Sequence, residues 1–379
     1  MNNHNSKIII HDIIKQMDDN TSVLKNKSIR ANNDVDAIKT WLTEFISSPH
    51  TFTSYRQVSE RFVLWLMQKQ LSLHTITRED IQDYQSFLTN PTPQQFWCGP
   101  AVARINPEWK PFVKGLANSS IKLNLQILTT MYEYLVQSGY LITNPFRLIK
   151  RKSARLATQN TAIERYLSHQ EWNYILEYIA QMPQKNALDK IKQQRIKWIF
   201  NLLYLSGCRR SEIINAKMSD FIHKHGGWWL RVIGKGNKYG EIPVPNALLT
   251  ALIEYRNSIG LGNYPLPTEV HISLINNIQF KNNRFTGITD SMLYKIIKIT
   301  CGNIANDLNL IDPNAAFTIN KASTHWLRHT SATHQVDAGI DIRVVKENLR
   351  HSMLETTMKY QHTEADKRHK ETTDKFGKK

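Results

Sequence analysis

The sequence predicts a mainly α (α+β) fold in two domains, with one small antiparallel β-sheet in the second domain. Apolar residues recur at helical spacing over much of the segment 34–150. Basic residues without an acidic one lie between Arg147 and Arg155, and a stretch without hydrophobic period follows, which is typical of a linker. Further along, two strand-like runs flank a glycine-rich turn, so we expect a β-hairpin among the later helices.

The first domain is predicted from this periodicity. Residues 1–33 are polar and rich in asparagine, and we expect them to form a flexible N-terminal arm. The segment 34–150 is expected to form a helical domain, in which Trp41, Leu42 and Phe45 have the spacing of one helix face.

Capping residues and prolines mark the ends of individual helices in this domain. Thr77 is suited to an N-cap, with Asp80 at the third helical position. The segment 89–115 contains several prolines and is expected to be a loop or insertion. The aromatic residues expected to hold it down are Phe96, Trp97 and Trp109. A long helix is predicted at about 119–137, ended by Gly139.

A basic linker is expected at 151–163, then a second domain at 164–362 and a C-terminal tail at 363–379. Ser168 and Glu171 have the spacing of a capping box that opens a helix. Further helices are predicted at about 190–205, at about 291–308 and from Thr324 onward, and the hairpin strands at Trp228–Ile233 and Glu241–Val244.

The bulk composition favours a nucleic-acid partner. A formal net charge of +17 usually means contact with a polyanion, although an evenly solvated basic surface would give the same number. The three cysteines are far apart and give neither a disulfide framework nor a zinc spacing. No apolar run reaches the length of a membrane span, and no signal-peptide pattern opens the chain. We therefore expect a cytoplasmic, nucleoid-associated protein without a membrane partner.

Two arginines in specific contexts point to phosphate chemistry. Arg209 follows a glycine between two predicted helices, and Arg328 lies three residues after His325, on the same helix face. Two guanidiniums can hold one phosphate through forked hydrogen bonds and stabilise the charge of a phosphoryl transition state. Tyr360, downstream, is the candidate nucleophile, since a phenol is weak at neutral pH unless cationic neighbours activate it. An arbitrary tyrosine would more often be a half-buried helix residue.

A lysine and a second histidine complete the candidate site. Lys235 lies at the tip of the predicted hairpin and can protonate a leaving oxygen, with Lys238 as the competitor for this role. His325 and His351 can bind the phosphate or move a proton. The remaining histidines of this region, His329 and His334, are expected to be structural. A metal site formed by His325, His329 and His334 would lack a nearby carboxylate, so we expect no metal and no cofactor.

These motifs resemble those of the tyrosine recombinases, also called lambda-type integrases. The matching boxes are Leu202–Glu212, Val232–Lys238, His325–His334 and Leu349–His351 through Tyr360. The resemblance implies an active site formed by Arg209, Lys235, His325, Arg328, His351 and Tyr360, with Glu212 orienting the first arginine or a histidine. The segment 34–150 is similar to the family's helical core-binding domain in position, length and pattern, and 164–362 is similar to its catalytic domain.

The resemblance also implies the reaction and the partners. A site-specific recombinase or integrase of a mobile element or phage would cut and rejoin double-stranded DNA through a 3′-phosphotyrosyl intermediate, with neither ATP nor a metal. Four protomers would assemble on DNA, each C-terminal tail packing on a neighbour, with accessory DNA-bending proteins as further candidates. DNA-binding roles are expected for the basic cluster Arg147, Lys150, Arg151, Lys152 and Arg155 and for Lys238. A type IB topoisomerase, a hairpin-forming resolvase and a DNA-binding architectural protein are the alternatives.

Two positions depart from the family pattern. Arg350 stands where the family usually has glycine just before the last histidine, and a left-handed backbone there would cost arginine about 1 kcal/mol. Cys208 stands where leucine is usual, and we expect a small core residue rather than a second nucleophile.

Overall fold

A computed structural model describes residues 28–149, 165–234, 239–278, 285–350 and 373–374. The chain divides into two compact units, one ending at Asn160 and the other beginning at Thr161. This division lies inside the segment 151–163 that the sequence predicts as a linker. No helix in the described ranges is both long enough and apolar enough to cross a membrane.

The first unit is helical. Its helices are α1 (Asp34–Thr43), α2 (Pro49–Gln68), α3 (Arg78–Thr89), α4 (Gln94–Trp97) and α5 (Asn118–Gln137), followed by a 3-10 turn at Pro145–Leu148. The predicted capping box is present: Thr77 accepts from the backbone of Asp80, whose carboxylate accepts from Thr77 in return. The long helix ends as predicted, with Gly139 at a positive φ of 73°.

The core of this unit is rich in aromatic side chains. Phe62, Trp65 and Tyr84 are almost fully buried and contact one another at ring-centroid distances of 4.9–6.3 Å. Of the segment 1–33, expected to form the N-terminal arm, the structure describes residues 28–33. Ser28 donates its N–H to the carbonyl of Ser138, and Ala31 is buried, so these residues pack on the unit.

The proline-rich segment 89–115 is held by only part of the aromatic set expected. Trp97 is fully buried and meets Phe87 at a centroid distance of 4.9 Å, as predicted. Phe96 was wrongly predicted, since it is 48% exposed; the buried Phe112 fills the role instead. Trp109 is half-buried and lies under the guanidinium of Arg104.

The second unit is mainly helical with one small sheet. Its helices are α6 (His169–Gln181), α7 (Ala187–Ser206), α8 (Arg210–Asn215), α9 (Asn246–Ser258), α10 (Asp290–Leu308), α11 (Pro313–Lys321), α12 (Thr324–Asp337) and α13 (Ile342–Leu349). The predicted capping box at Ser168 and Glu171 opens α6. The buried core of the unit packs α7 against α9, α12 and α6, and Trp198 of α7 is fully buried within it.

In the ranges that the structure describes, the sheet has three antiparallel strands in the order β1 (Phe221–Lys224), β2 (Gly227–Ile233) and β3 (Tyr239–Pro243). The hairpin of β2 and β3 was predicted from the sequence, whereas β1 was missed. Leu230 of β2 pairs with Phe221 on one side and Ile242 on the other, and all three side chains are buried. The sheet therefore packs its apolar face on the helical core.

Two left-handed helix ends bring the site elements together. Helix α7 ends at Gly207, with φ 58°, and α13 ends at Arg350, with φ 52°. Leu349 is fully buried with Ala332 of α12 and Val345 of α13. A Cβ on Gly207 would lie 2.5 Å from Cδ2 of Leu349, so the ends of α7 and α13 approach each other closely.

Candidate active site

Arg328 of α12 links the two left-handed helix ends. Its side chain is buried, Nη1 donates to the carbonyl of Gly207, and Nη2 donates to the carbonyl of Leu349. Burial, and after it the nearby charge of Arg209, lower the pKa of Arg328 to about 10. The group is still cationic at neutral pH, so a buried positive charge is fixed where α7 and α13 end.

Arg209 is held by Glu212 at the start of α8. The backbone N–H of Arg209 donates to Oε2 of Glu212 at 2.6 Å, and its Nη1 donates to Oε1 at 3.1 Å. Its Nη2 donates to the carbonyl of Arg350 at 3.4 Å. Glu212 is buried, which makes it a fixed anchor for this arginine. The two predicted arginines thus bind carbonyls of consecutive residues, Leu349 and Arg350.

His325 lies one helical turn before Arg328. Its Nε2 and the Nε2 of His329 are 2.7 Å apart, so one ring donates a proton and the other accepts it. Burial lowers the pKa of His325, and the charges of Arg328, Arg165 and Arg209 lower it further. A neutral imidazole beside two site arginines can accept a proton or donate its single N–H to a phosphate oxygen.

Arg165 is a site neighbour that the sequence reasoning missed. The residue lies two positions before Leu167, whose buried N–H donates to Oγ1 of Thr330 at 2.9 Å. This bond fixes the start of the unit on helix α12 and brings the charge of Arg165 close enough to affect His325. A basic residue three positions before Ser168, the first residue of the capping box, was the available signal.

Arg350 is the second missed residue, and its side chain enters the site. Its Nη2 donates to Oε2 of Glu212 at 2.5 Å. The expected left-handed backbone at this position is present. The sequence indicated only a departure in the backbone here, although a charged side chain in place of glycine was a signal for a new contact.

Cys208 and His334 have structural roles. Cys208 is buried, and burial raises the pKa of its thiol, which disfavours a nucleophilic thiolate. His334 is also buried, with Nδ1 2.8 Å from the hydroxyl of Tyr204 and its ring stacked on His169 at 3.6 Å. No three His, Cys, Asp or Glu side chains in the described ranges are arranged to hold a metal ion.

Part of the predicted site lies outside the described residues. The predicted residues concerned are Lys235, Lys238, His351, Tyr360, Lys150, Arg151, Lys152 and Arg155. Of the basic cluster, Arg147 is described: its side chain is 68% exposed and its Nε lies 3.3 Å from the carboxylate of Glu133. The structure therefore brings together Arg209, Glu212, His325 and Arg328, and the other assignments remain predictions.

The sequence model of the phage integrase family matches residues 165–367, more than half of the chain. The chain belongs to the phage integrase family. It is therefore a tyrosine recombinase, an enzyme that cuts and rejoins DNA strands. The matched range contains every residue predicted to be catalytic, from Arg209 to Tyr360.

Named relatives cover most of the chain. It is 27% identical over 320 residues to the tyrosine recombinase XerC of Staphylococcus carnosus, covering 83% of this chain and 87% of the relative. The XerC of Staphylococcus aureus strain USA300 is 26% identical over 316 residues, covering 83% and 86%.

Solved structures share the fold. The XerH site-specific recombinase in a post-cleavage complex with its difH substrate has a TM-score of 0.59 at 19% identity, covering 90% of this chain and 85% of that one. A lambda integrase dimer bound to a core site has a TM-score of 0.53 at 13% identity, covering 86% and 77%. The Tn1549 transposon integrase with circular-intermediate DNA has a TM-score of 0.56 at 15% identity, covering 86% and 94%.

Proposed function

We propose that the protein is a site-specific recombinase that cuts and rejoins duplex DNA through a 3′-phosphotyrosyl intermediate. The observation that carries the proposal is the convergence of Arg209 and Arg328 on the carbonyls of Leu349 and Arg350. His351, the next predicted site residue, follows directly in the chain. Two guanidiniums fixed in this way suit a phosphate whose charge increases in the transition state.

The chemical step follows from these roles. The phenol oxygen of Tyr360 attacks the phosphorus, the bond from phosphorus to the 5′ oxygen breaks, and Lys235 supplies the proton that the 5′ oxygen gains. The phenol proton passes to the imidazole of His325 or His351, for which the lowered pKa of His325 provides a neutral acceptor. A 5′ hydroxyl from a partner duplex then reverses the step.

Basic residues contact the DNA backbone away from the phosphate that reacts. A net charge of +17 supports binding to a polyanion. We assign backbone contacts to Arg147, Lys150, Arg151, Lys152 and Arg155, and a further contact to Lys238. The relatives in the comparison structures are themselves complexes with DNA. A homotetramer held together by the tail at 363–379, accessory DNA-bending proteins and a cytoplasmic, nucleoid-associated location belong to the same proposal.

The biological setting that we propose is integration or excision of a mobile element or phage. The transposon integrase and the lambda integrase support it by fold. The similarity to relatives named XerC does not distinguish integration from excision. Sequencing the DNA joined by the protein in a cell distinguishes movement of an element between two sites from recombination within one repeated site.

The first experiment tests whether the covalent protein–DNA intermediate forms. The protein is incubated in EDTA with a pool of nicked duplexes of randomised centre, and denatured protein–DNA adducts are captured and sequenced. Adducts in the wild type and none in Tyr360→Phe are the expected result, and the enriched sequence defines the DNA site. Retained DNA binding without any adduct would overturn the proposal in favour of an architectural role. Relaxation of supercoiled DNA without strand exchange would favour a topoisomerase.

A further inference from the structure

We propose that Arg350 is a positioning residue of this active site, which fixes Glu212 and through it Arg209. The inference rests on the proposed function, since its effect is on strand cleavage. The side chain of Arg350 is only 15% exposed and connects helix α13, strand β3 and helix α8. Its family counterpart is usually glycine, which has no side chain to make these contacts.

The left-handed backbone at Arg350 destabilises the folded protein unless contacts of the arginine side chain offset the cost. At φ 52° and ψ 49° the residue is in the left-handed region, which costs a residue with a Cβ about 1 kcal/mol or more. Helix α7 also ends in a left-handed residue, and there the residue is Gly207, which has no Cβ. A non-glycine residue persists in such a conformation when other interactions offset the strain.

The first offsetting interaction is the shared carboxylate. Oε2 of Glu212 accepts from the backbone N–H of Arg209 at 2.6 Å and from Nη2 of Arg350 at 2.5 Å. Nε and Nη1 of Arg350 are buried without a hydrogen-bond partner in the part of the chain that the structure describes. The hydrogen bonding of this guanidinium therefore depends on Glu212, and the two arginines are coupled through one anion.

The second interaction is with strand β3. A Cβ built on Gly240 would lie 2.3 Å from Cδ of Arg350, so the arginine passes directly over this glycine. Gly240 pairs with Val232 of β2 within the sheet. The absence of a side chain at Gly240 thus leaves the space through which Arg350 reaches Glu212.

The third interaction joins the backbone of Arg350 directly to Arg209. Nη2 of Arg209 donates to the backbone carbonyl of Arg350 at 3.4 Å. Arg350 therefore holds Arg209 from two sides, by its own carbonyl and through Glu212. A small displacement of Arg209 would misalign its guanidinium with the phosphate, and such displacements slow positioned reactions steeply.

The variants separate positioning from space filling. Arg350→Met keeps a long side chain and the positive φ but removes the charge, and Arg350→Lys keeps the charge. We expect Arg350→Met to lower the single-turnover rate of adduct formation about tenfold or more, with the DNA dissociation constant changed less than about twofold. Arg350→Lys should recover part of the rate. If Arg350→Met does not fold, Arg350→Gly, which suits the backbone, takes its place.

Coupling to Glu212 is measured by a double-mutant cycle. In a Glu212→Gln background, Arg350→Met should have little further effect, because the shared anion is already lost. Gly240→Ala should slow adduct formation, whereas Gly227→Ala on β2, where a Cβ meets nothing closer than 4.0 Å, should not. A wild-type rate in Arg350→Met, or additive effects in the cycle, would overturn the inference while wild-type adducts uphold the proposed function. No adduct in the wild type would overturn both.

Discussion

At the scale of single residues, the two active-site arginines differ in what surrounds them. Arg328 is 5% exposed and satisfies two backbone carbonyls. The side chain of Arg209 is 41% exposed and donates to one carboxylate oxygen of Glu212 and to the backbone carbonyl of Arg350. Loss of the first should therefore affect folding as well as chemistry, and loss of the second should affect mainly chemistry.

Matched lysine substitutions test this difference. Arg328→Lys should lower the free energy of unfolding by roughly 2 kcal/mol, because one ammonium replaces a fork that binds two buried carbonyls. Arg209→Lys should cost less than about 1 kcal/mol, because the Arg209 side chain is 41% exposed and the lysine keeps a positive charge beside the buried carboxylate of Glu212. Both should reduce adduct formation by about 100-fold or more. Urea unfolding and adduct assays measure the two quantities, and equal stability losses in both variants would contradict the assignment.

At the scale of elements, the site depends on how helices end. Gly207 at the end of α7 has a positive φ, and its carbonyl accepts from Arg328. The close approach of Leu349 leaves no room for a Cβ there. Gly339, after α12, also has a positive φ but lies in open space.

This pair of glycines separates backbone strain from packing. Gly339→Ala should cost about 1 kcal/mol of unfolding free energy, from the left-handed backbone alone. Gly207→Ala should cost at least twice that, because Leu349 must also move, and it should slow adduct formation because its carbonyl anchors Arg328. Thermal and urea unfolding of both variants provide the comparison. Similar losses for the two would show that packing at Gly207 adds nothing.

Local signals in the sequence were enough for most elements of the described ranges. The capping boxes at Thr77 and Ser168 depend on residues three apart, and both are present. Strand β1 was missed because four residues are too few to show an alternating pattern. Phe96 was misjudged because composition does not tell which of two adjacent aromatics faces the core.

The site was predictable where spacing determines it. His325 and Arg328 share a helix face by their separation of three. The contact of Arg350 with Glu212 joins residues 138 positions apart and has no local pattern. Arg165 was missed for a similar reason, since its neighbourhood depends on the bond between Leu167 and Thr330.

Helix α12 also carries a pH-dependent contribution to stability. Burial, and after it the stacked ring of His169, lower the pKa of His334 to about 4, from 6.5 in an exposed chain. The unfolded chain therefore binds this proton more readily. The contribution is fully present above pH 6.5 and is lost as the pH falls toward about 4.

The measurement is urea unfolding of the wild type and His334→Gln between pH 7 and pH 4. The wild type should lose roughly 1–3 kcal/mol more than the variant over this range, because the variant cannot be protonated. Parallel curves for the two proteins would show that His334 does not titrate as its surroundings indicate.

At the scale of the whole molecule, each unit has its own hydrophobic core, and the chain carries a net charge of +17. The charge provides affinity without sequence selectivity, through release of counterions from phosphates. Base-specific recognition must come from other side chains. The salt dependence of DNA binding therefore measures contacts with the phosphate backbone and not the recognition of a particular DNA sequence.

Arg147 is the described member of the basic cluster on which this can be tested. If it contacts a phosphate, Arg147→Gln should make the slope of log K against log salt shallower by about 1 and weaken binding equally on selected and unrelated duplexes. Lys185→Gln removes the same charge from an exposed loop between α6 and α7 and should leave the slope unchanged. Fluorescence anisotropy over a series of salt concentrations gives both slopes. An unchanged slope in Arg147→Gln would make its surface ion pair with Glu133 the whole role of this arginine.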